Sequence, residues 1–189
     1  MEINFEYNLI DSISIIDIST QLRYIVPLYC HELQSFDVSI TSIIIPNWSC
    51  NDNNSYTIFD FSRFSLLESI EIGNDSFGSV STFQIDGLNQ LKTIKIGKNS
   101  FALKKYEITY YLSNSFHILN CESLESIQIG QYSFSDFAGD FELKNLPQLQ
   151  SIQIGTFSFY YSSFLIGGNF MILNIIMIRS SKSTIYYIR

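Results

Sequence analysis

The sequence predicts a mainly β repeat solenoid, a stack of short parallel strands running through one domain over residues 1–189. Three observations predict it. A phrase beginning Leu-x-[Ser/Thr]-Ile-x-Ile recurs along the chain. Inside it, isoleucine alternates with polar residues, which is the period of a strand with one buried face. Each clear copy then reaches a glycine, where the chain must turn.

The first element is a half copy, Ile10-Asp-Ser-Ile13-Ser-Ile15, which keeps only the strand. Ile40-Thr-Ser-Ile43-Ile-Ile45-Pro46-Asn-Trp-Ser49-Cys50 keeps the whole frame, with Pro46 at the glycine and Cys50 at the closing aromatic. The clear copies follow. Leu67-Glu-Ser-Ile70-Glu-Ile72-Gly73-Asn-Asp-Ser76-Phe77 returns as Leu91-Lys-Thr-Ile94-Lys-Ile96-Gly97-Lys-Asn-Ser100-Phe101. It returns again at Leu124–Phe134 and Leu149–Phe159, with Gly130, Ser133, Gly155 and Ser158 in the same places. Glycine tolerates positive φ, so Gly73, Gly97, Gly130 and Gly155 are expected to supply that conformation to the turn. Phe77, Phe101, Phe134 and Phe159 are expected to fall inside and form an aromatic column.

A second block precedes each clear copy: Phe59-x-Phe61-x-x-Phe64, Phe83-x-Ile85-x-x-Leu88, Phe116-x-Ile118-x-Asn120-Cys121 and Phe141-x-Leu143-x-Asn145-Leu146. Its period is again two, so it reads as strand and not helix. Phe170-Met-Ile172-Leu-Asn174-Ile175 opens one more unit, whose second half has lost the motif. About six to seven repeats result, clear over 59–159 and degenerate over 1–58 and 160–189. Each unit is too small to bury its apolar face alone, so neighbours must bury it by stacking. The spacing is 24 residues from Leu67 to Leu91 and 25 from Leu124 to Leu149, but 33 from Leu91 to Leu124. The surplus lies in Ala102–Ser115, with Lys104, Lys105, Tyr106, Tyr110 and Tyr111, and is expected to be a loop on one face.

L-x-x-I-x-I-x-x-[ND]-x-F at residues 67–77 and 91–101 resembles the leucine-rich repeat core. The Ser-Phe ending and the Cys121-Glu-Ser-Leu124 segment resemble the BspA-like subgroup of that family. The position that the family fills with asparagine holds Asp75, Asn99, Tyr132 and Phe157. A right-handed β-helix of similar coil length is the alternative fold. The resemblance implies a non-catalytic protein–protein interaction module; its alternative is a structural or adhesin-like surface repeat protein, or a fragment of a longer solenoid.

The outward strand positions give the candidate binding face. Its columns are Glu68, Lys92, Glu125 and Gln150; Ser69, Thr93, Ser126 and Ser151; and Glu71, Lys95, Gln128 and Gln153. The same columns run upstream through Asp11, Thr41, Ser12, Ser42, Ser14 and Ile44. Opposite charges on adjacent strands suit cross-strand pairing. The face lacks the Trp, Tyr and Arg anchors that dominate most interfaces.

Other chemistry is not indicated. Apolar residues make up 46% of the chain, enough for a core, and the net charge of −7 disfavours nucleic-acid binding. Cys30, His31, Cys50 and Cys121 have no metal-ligand spacing, and three cysteines do not describe a disulfide framework. Cys50 and Cys121 read as core fillers, because their repeat equivalents are Phe and Leu. His117 shares its position with Asp60, Gln84 and Glu142, which reads as solvated surface. No enzyme, cofactor or metal is expected. The apolar run Phe164–Ile178 is too short and too interrupted by Gly167, Gly168 and asparagines for a membrane span. With no basic n-region at the N-terminus, the default expectation is a cytoplasmic protein with an unidentified protein partner. The sequence shows no polar terminal cap, so self-association through uncapped ends is a further expectation.

Overall fold

The computed structural model describes residues 12–16, 23–27, 37–51, 57–102, 114–159 and 170–173. Along the chain the strands are β1 (Ser12–Ile16), β2 (Arg23–Pro27), β3 (Ser42–Ile45), β4 (Ile58–Asp60), β5 (Ser69–Ile72) and β6 (Thr82–Asp86). They continue as β7 (Thr93–Ile96), β8 (Ser115–Leu119), β9 (Ser126–Ile129), β10 (Phe141–Lys144), β11 (Ser151–Ile154) and β12 (Phe170–Leu173). No helix occurs among the described residues.

From β3 onward the chain alternates between two sheets. The Leu-x-[Ser/Thr]-Ile-x-Ile phrases and the half copy, with β2 (Arg-Tyr-Ile-Val-Pro) as an added strand outside the motif, build a seven-stranded sheet in the order β1-β2-β3-β5-β7-β9-β11. The second blocks build a five-stranded sheet in the order β12-β10-β8-β6-β4. Pairing is parallel in every case but β1 with β2, which is antiparallel. The stacked phrases thus share one sheet, and the second blocks form a sheet of their own. The half copy at Ile10–Ile15 is corrected: its strand runs against its neighbour and does not continue the parallel series. Register follows the motif. Ile70, Ile94 and Ile127 pair in one row, and Phe83, Phe116 and Phe141 in another.

The core lies between the sheets and is a double file of phenylalanines. Phe77, Phe101, Phe134 and Phe159 stack in sequence at centroid distances of 4.9, 4.6 and 5.1 Å. A second file, Phe59, Phe83, Phe116 and Phe141, stacks at 4.7, 4.8 and 5.0 Å. The files meet edge to face, as in Phe83–Phe134 at 5.3 Å and Phe116–Phe134 at 5.0 Å. Both geometries suit the aromatic quadrupole.

The glycines work differently from the sequence expectation. Among the described glycines only Gly87 has positive φ, at 71°. The positive φ of the main turn belongs to the second and fourth residues after the glycine: Asp75 and Phe77, Asn99 and Phe101, Tyr132 and Phe134, Phe157 and Phe159. Glycine is needed because coils touch there. A Cβ on Gly97 would lie 2.6 Å from the carbonyl carbon of Gly73, and one on Gly130 would lie 2.5 Å from that of Gly97. The left-handed residues let backbone donors alternate between neighbours. Gly130 N–H reaches back to Ile96 O at 2.8 Å, Tyr132 N–H forward to Thr156 O at 3.1 Å, and Phe134 N–H back to Ser100 O at 3.0 Å. The parallel ladder thus continues round the corner with its donors satisfied. At Phe77, Phe101, Phe134 and Phe159 the left-handed conformation costs roughly 1–2 kcal/mol each, which burial of the ring offsets.

The serine before each phenylalanine forms a buried ladder. Ser100 Oγ accepts from Ser76 N–H at 3.3 Å and donates to Gly73 O at 2.8 Å. Ser76 does the same with Ser49 N–H and Pro46 O, and Ser133 with Ser100 N–H and Gly97 O. Ser158 Oγ donates to Gly130 O at 2.7 Å. Ser76, Ser100, Ser133 and Ser158 are wholly buried. Replacing Ser100 by alanine orphans a buried N–H and carbonyl, with an expected cost of about 2 kcal/mol in urea unfolding. Ser126→Ala, on the outer face, is expected to cost a few tenths (about 0.3 kcal/mol). Equal costs would deny the ladder its role.

The opposite corner has its own left-handed residues, at Gly87, Asn120 and Asn145. Asn145 Nδ2 donates to Asn120 Oδ1 at 2.6 Å, and Asn120 Nδ2 to Asp86 Oδ1 at 2.8 Å. Cys121 is a buried free thiol, and burial pushes its pKa up to about 11. Cys50 is buried in the core, as its repeat position implies, and is also disulfide-bonded, which the sequence reading did not include. Cys30 and His31, the greater part of the Ala102–Ser115 insertion, and most of Phe164–Ile178 lie outside the described residues.

Candidate interaction face

The face is built by the seven-stranded sheet. In β5, β7 and β9 the isoleucines point inward and the residues between them outward, as their buried–exposed alternation shows. Parallel register then places like repeat positions side by side. Ser69, Thr93, Ser126 and Ser151 form one row; Glu71, Lys95, Gln128 and Gln153 form the next. Glu68, Lys92, Glu125 and Gln150 form a third, because Lys92, Glu125 and Gln150 each donate their N–H to the carbonyl of the preceding member at 2.8 Å. All twelve residues singled out in the sequence therefore share one surface. Glu68, Ser69 and Ser126 are half-buried and the other nine are exposed.

Neighbouring side chains on this surface are partly engaged with one another. Lys92 Nζ lies 2.6 Å from Glu68 Oε2, and Lys95 Nζ lies 2.8 Å from Glu71 Oε1. The hydrogen bond and charge of Glu68 raise the Lys92 pKa above its ordinary value. Such exposed pairs add little to stability and are screened by salt. Ser42 and Ser69 share a hydroxyl hydrogen bond of 2.7 Å across β3 and β5. Gln128 and Gln153 continue the row beyond the ion pairs.

The large exposed aromatics sit elsewhere, on the corner that follows this sheet. Trp48 is 67% exposed, Tyr132 48% and Phe157 50%. Tyr132 and Phe157 stack on each other at 5.0 Å. All three occupy the repeat position of Asp75 and Asn99 and all have positive φ. The sequence reading overlooked them as exposed anchors. The available signal was three aromatics at a position that other copies fill with Asp75 and Asn99.

On the five-stranded sheet, Asp60, Gln84, His117 and Glu142 form an outward row. His117 Nδ1 lies 3.6 Å from Glu142 Oε2, and Lys144 Nζ lies 3.9 Å from Glu142 Oε1. Among the described residues no three His, Cys, Asp or Glu side chains gather as a metal site, and no helix is long and apolar enough to cross a membrane. The fold and face together define a β-solenoid repeat protein. The chain matches no family model, no curated protein and no solved structure.

Proposed function

We propose that the chain is a non-catalytic protein–protein interaction module of leucine-rich-repeat type, working by default in the cytoplasm and binding an unidentified protein partner through the outer face of its seven-stranded sheet. One observation carries the reading: three rows of small and charged residues lie in register on a single sheet surface. Solenoids use extended surfaces of this kind to bind other proteins. Glu71 and Gln128 lie on either side of Lys95 in one row, so two arginines there would change the charge of the face while leaving the core intact. Glu71→Arg/Gln128→Arg is expected to lower capture of a partner by about tenfold in a pull-down read by mass spectrometry, with the fold unchanged by circular dichroism. A partner captured equally by both proteins would exclude this face.

A second reading draws on one observation of its own. Cys50 is disulfide-bonded, and disulfides persist mainly in oxidising compartments. That observation supports a structural or adhesin-like surface repeat protein.

A further inference from the structure

We infer that Asn47 is an acceptor for N-linked glycosylation; the inference rests on the second reading, in which the chain passes through an oxidising compartment. Asn47-Trp48-Ser49 is an Asn-x-Ser sequon with no proline in the middle. Asn74-Asp75-Ser76 and Asn53-Asn54-Ser55 are two more, the last lying outside the described residues. Three residues are a weak motif in a chain so rich in asparagine and serine. The placement of Asn47 carries the argument.

Asn47 is exposed on the corner after β3, three residues before the disulfide-bonded Cys50. Its Oδ1 accepts the Asn74 N–H at 2.7 Å. Its Nδ2, the atom that would carry the sugar, has no protein partner among the described residues. N-glycosylation consumes one N–H and leaves Oδ1 an acceptor, so the glycan and the ladder bond are compatible. Trp48, next in sequence, is the most exposed large apolar side chain among the described residues, and a sugar beside it would cover its ring. Asn74 holds the same position one coil on, with its own Oδ1 accepting from Lys98 N–H at 2.8 Å. Adjacent rungs are about 4.8 Å apart, too close for two glycans side by side. Asn74 is followed by Asp75, which offers no apolar surface to cover. Asn47 is therefore the rung assigned.

The transfer balances with a lipid-diphosphate-linked oligosaccharide as donor. Asn47 Nδ2 forms a bond to C1 of the first sugar, and the C1–O bond to the diphosphate breaks. The lipid diphosphate leaves with that electron pair, and one amide proton passes to a base of the membrane transferase. Ser49 is buried and its N–H is held by Ser76 Oγ. The sequon is thus accessible only before the next coil closes over it, so modification accompanies synthesis.

The test uses the full chain purified from its own cells. Free thiols are alkylated in denaturant before reduction, and glycans are then removed by a peptide N-glycosidase in heavy-oxygen water. The expected result is Cys50 protected from alkylation and Asn47 converted to a heavy-labelled aspartate. Asn47→Gln is expected to abolish the gel shift on glycosidase treatment, and Asn74→Gln to leave it. Cys50 protected with Asn47 unmodified, or with label on Asn74 alone, would overturn the assignment while keeping the compartment. Cys50 freely alkylated would overturn both.

Discussion

Replacing Gly130 by alanine is expected to destabilise the protein by about 3 kcal/mol, the upper end for overpacking a close contact. The added Cβ would lie 2.5 Å from the carbonyl carbon of Gly97, 2.6 Å from its oxygen and 2.7 Å from the nitrogen of Lys98. All three are backbone atoms and cannot swing aside. The coils must separate, which stretches Gly130 N–H to Ile96 O and the Ser133 Oγ bond to Gly97 O. Gly87→Ala is the informative contrast. Gly87 has a φ of 71°, but an added Cβ there meets nothing within 4 Å. Its cost is a left-handed penalty of about 1 kcal/mol. Urea unfolding of both variants separates the causes. If Gly87→Ala costs as much as Gly130→Ala, or more, the repeating glycines act through backbone freedom and not through coil contact.

That contrast marks where sequence reading succeeded and where it stopped. Period-two alternation at Ile70/Ile72, Ile94/Ile96 and Ile127/Ile129 was enough to place the strands and their inward faces, because register in a half-buried sheet is set by hydrophobic pattern. The repeat spacing was enough to place Phe77, Phe101, Phe134 and Phe159 in a column. The reason for the glycines was not legible. A glycine before a turn looks the same whether it turns the chain or lets another coil approach, and the second needs the neighbouring backbone. The serine ladder was written in the motif too, at Ser76, Ser100, Ser133 and Ser158. A serine in a turn ordinarily reads as solvated, and only stacking shows it closed off. Asn120 and Asn145 could have been recognised as left-handed residues, since Asn adopts that conformation more readily than most.

The candidate face was legible for the same reason as the strands. An exact repeat fixes which side chains lie beside one another, so Glu68 beside Lys92 and Glu71 beside Lys95 follow from alignment of the copies. The exposed corner was harder to read. Trp48, Tyr132 and Phe157 are apolar, and an apolar residue near a closing phenylalanine is easily assigned to the core. The second residue after the turn position instead faces solvent, while the fourth is the one that enters the core. The disulfide at Cys50 was also out of reach, because Cys50 stands where other coils bury phenylalanine and its burial alone satisfies the pattern.

Phe134→Ala is expected to be the most damaging side-chain truncation, at about 4 kcal/mol. Phe134 stacks on Phe101 at 4.6 Å and on Phe159 at 5.1 Å. It also meets Phe83, Phe116 and Phe137 edge-on at 5.3, 5.0 and 4.9 Å. The truncation removes ring contacts in both files and leaves a cavity between coils that the backbone ladders hold at fixed spacing, so the site cannot collapse. The positive φ of 56° at Phe134 remains, no longer offset by the ring. Phe157→Ala is the control: it too has positive φ, 62°, and stacks on Tyr132, but its side chain is half exposed. It is expected to cost under about 1 kcal/mol. Because each coil leans mainly on its neighbours, the loss at Phe134 should also weaken coupling between the coils on either side. Thermal unfolding should then broaden or split into two steps, and amide exchange should rise first in β9 and β11. A single sharp transition with a loss no greater than that of Phe157→Ala would mean that the ladders, and not the phenylalanine files, hold the coils together.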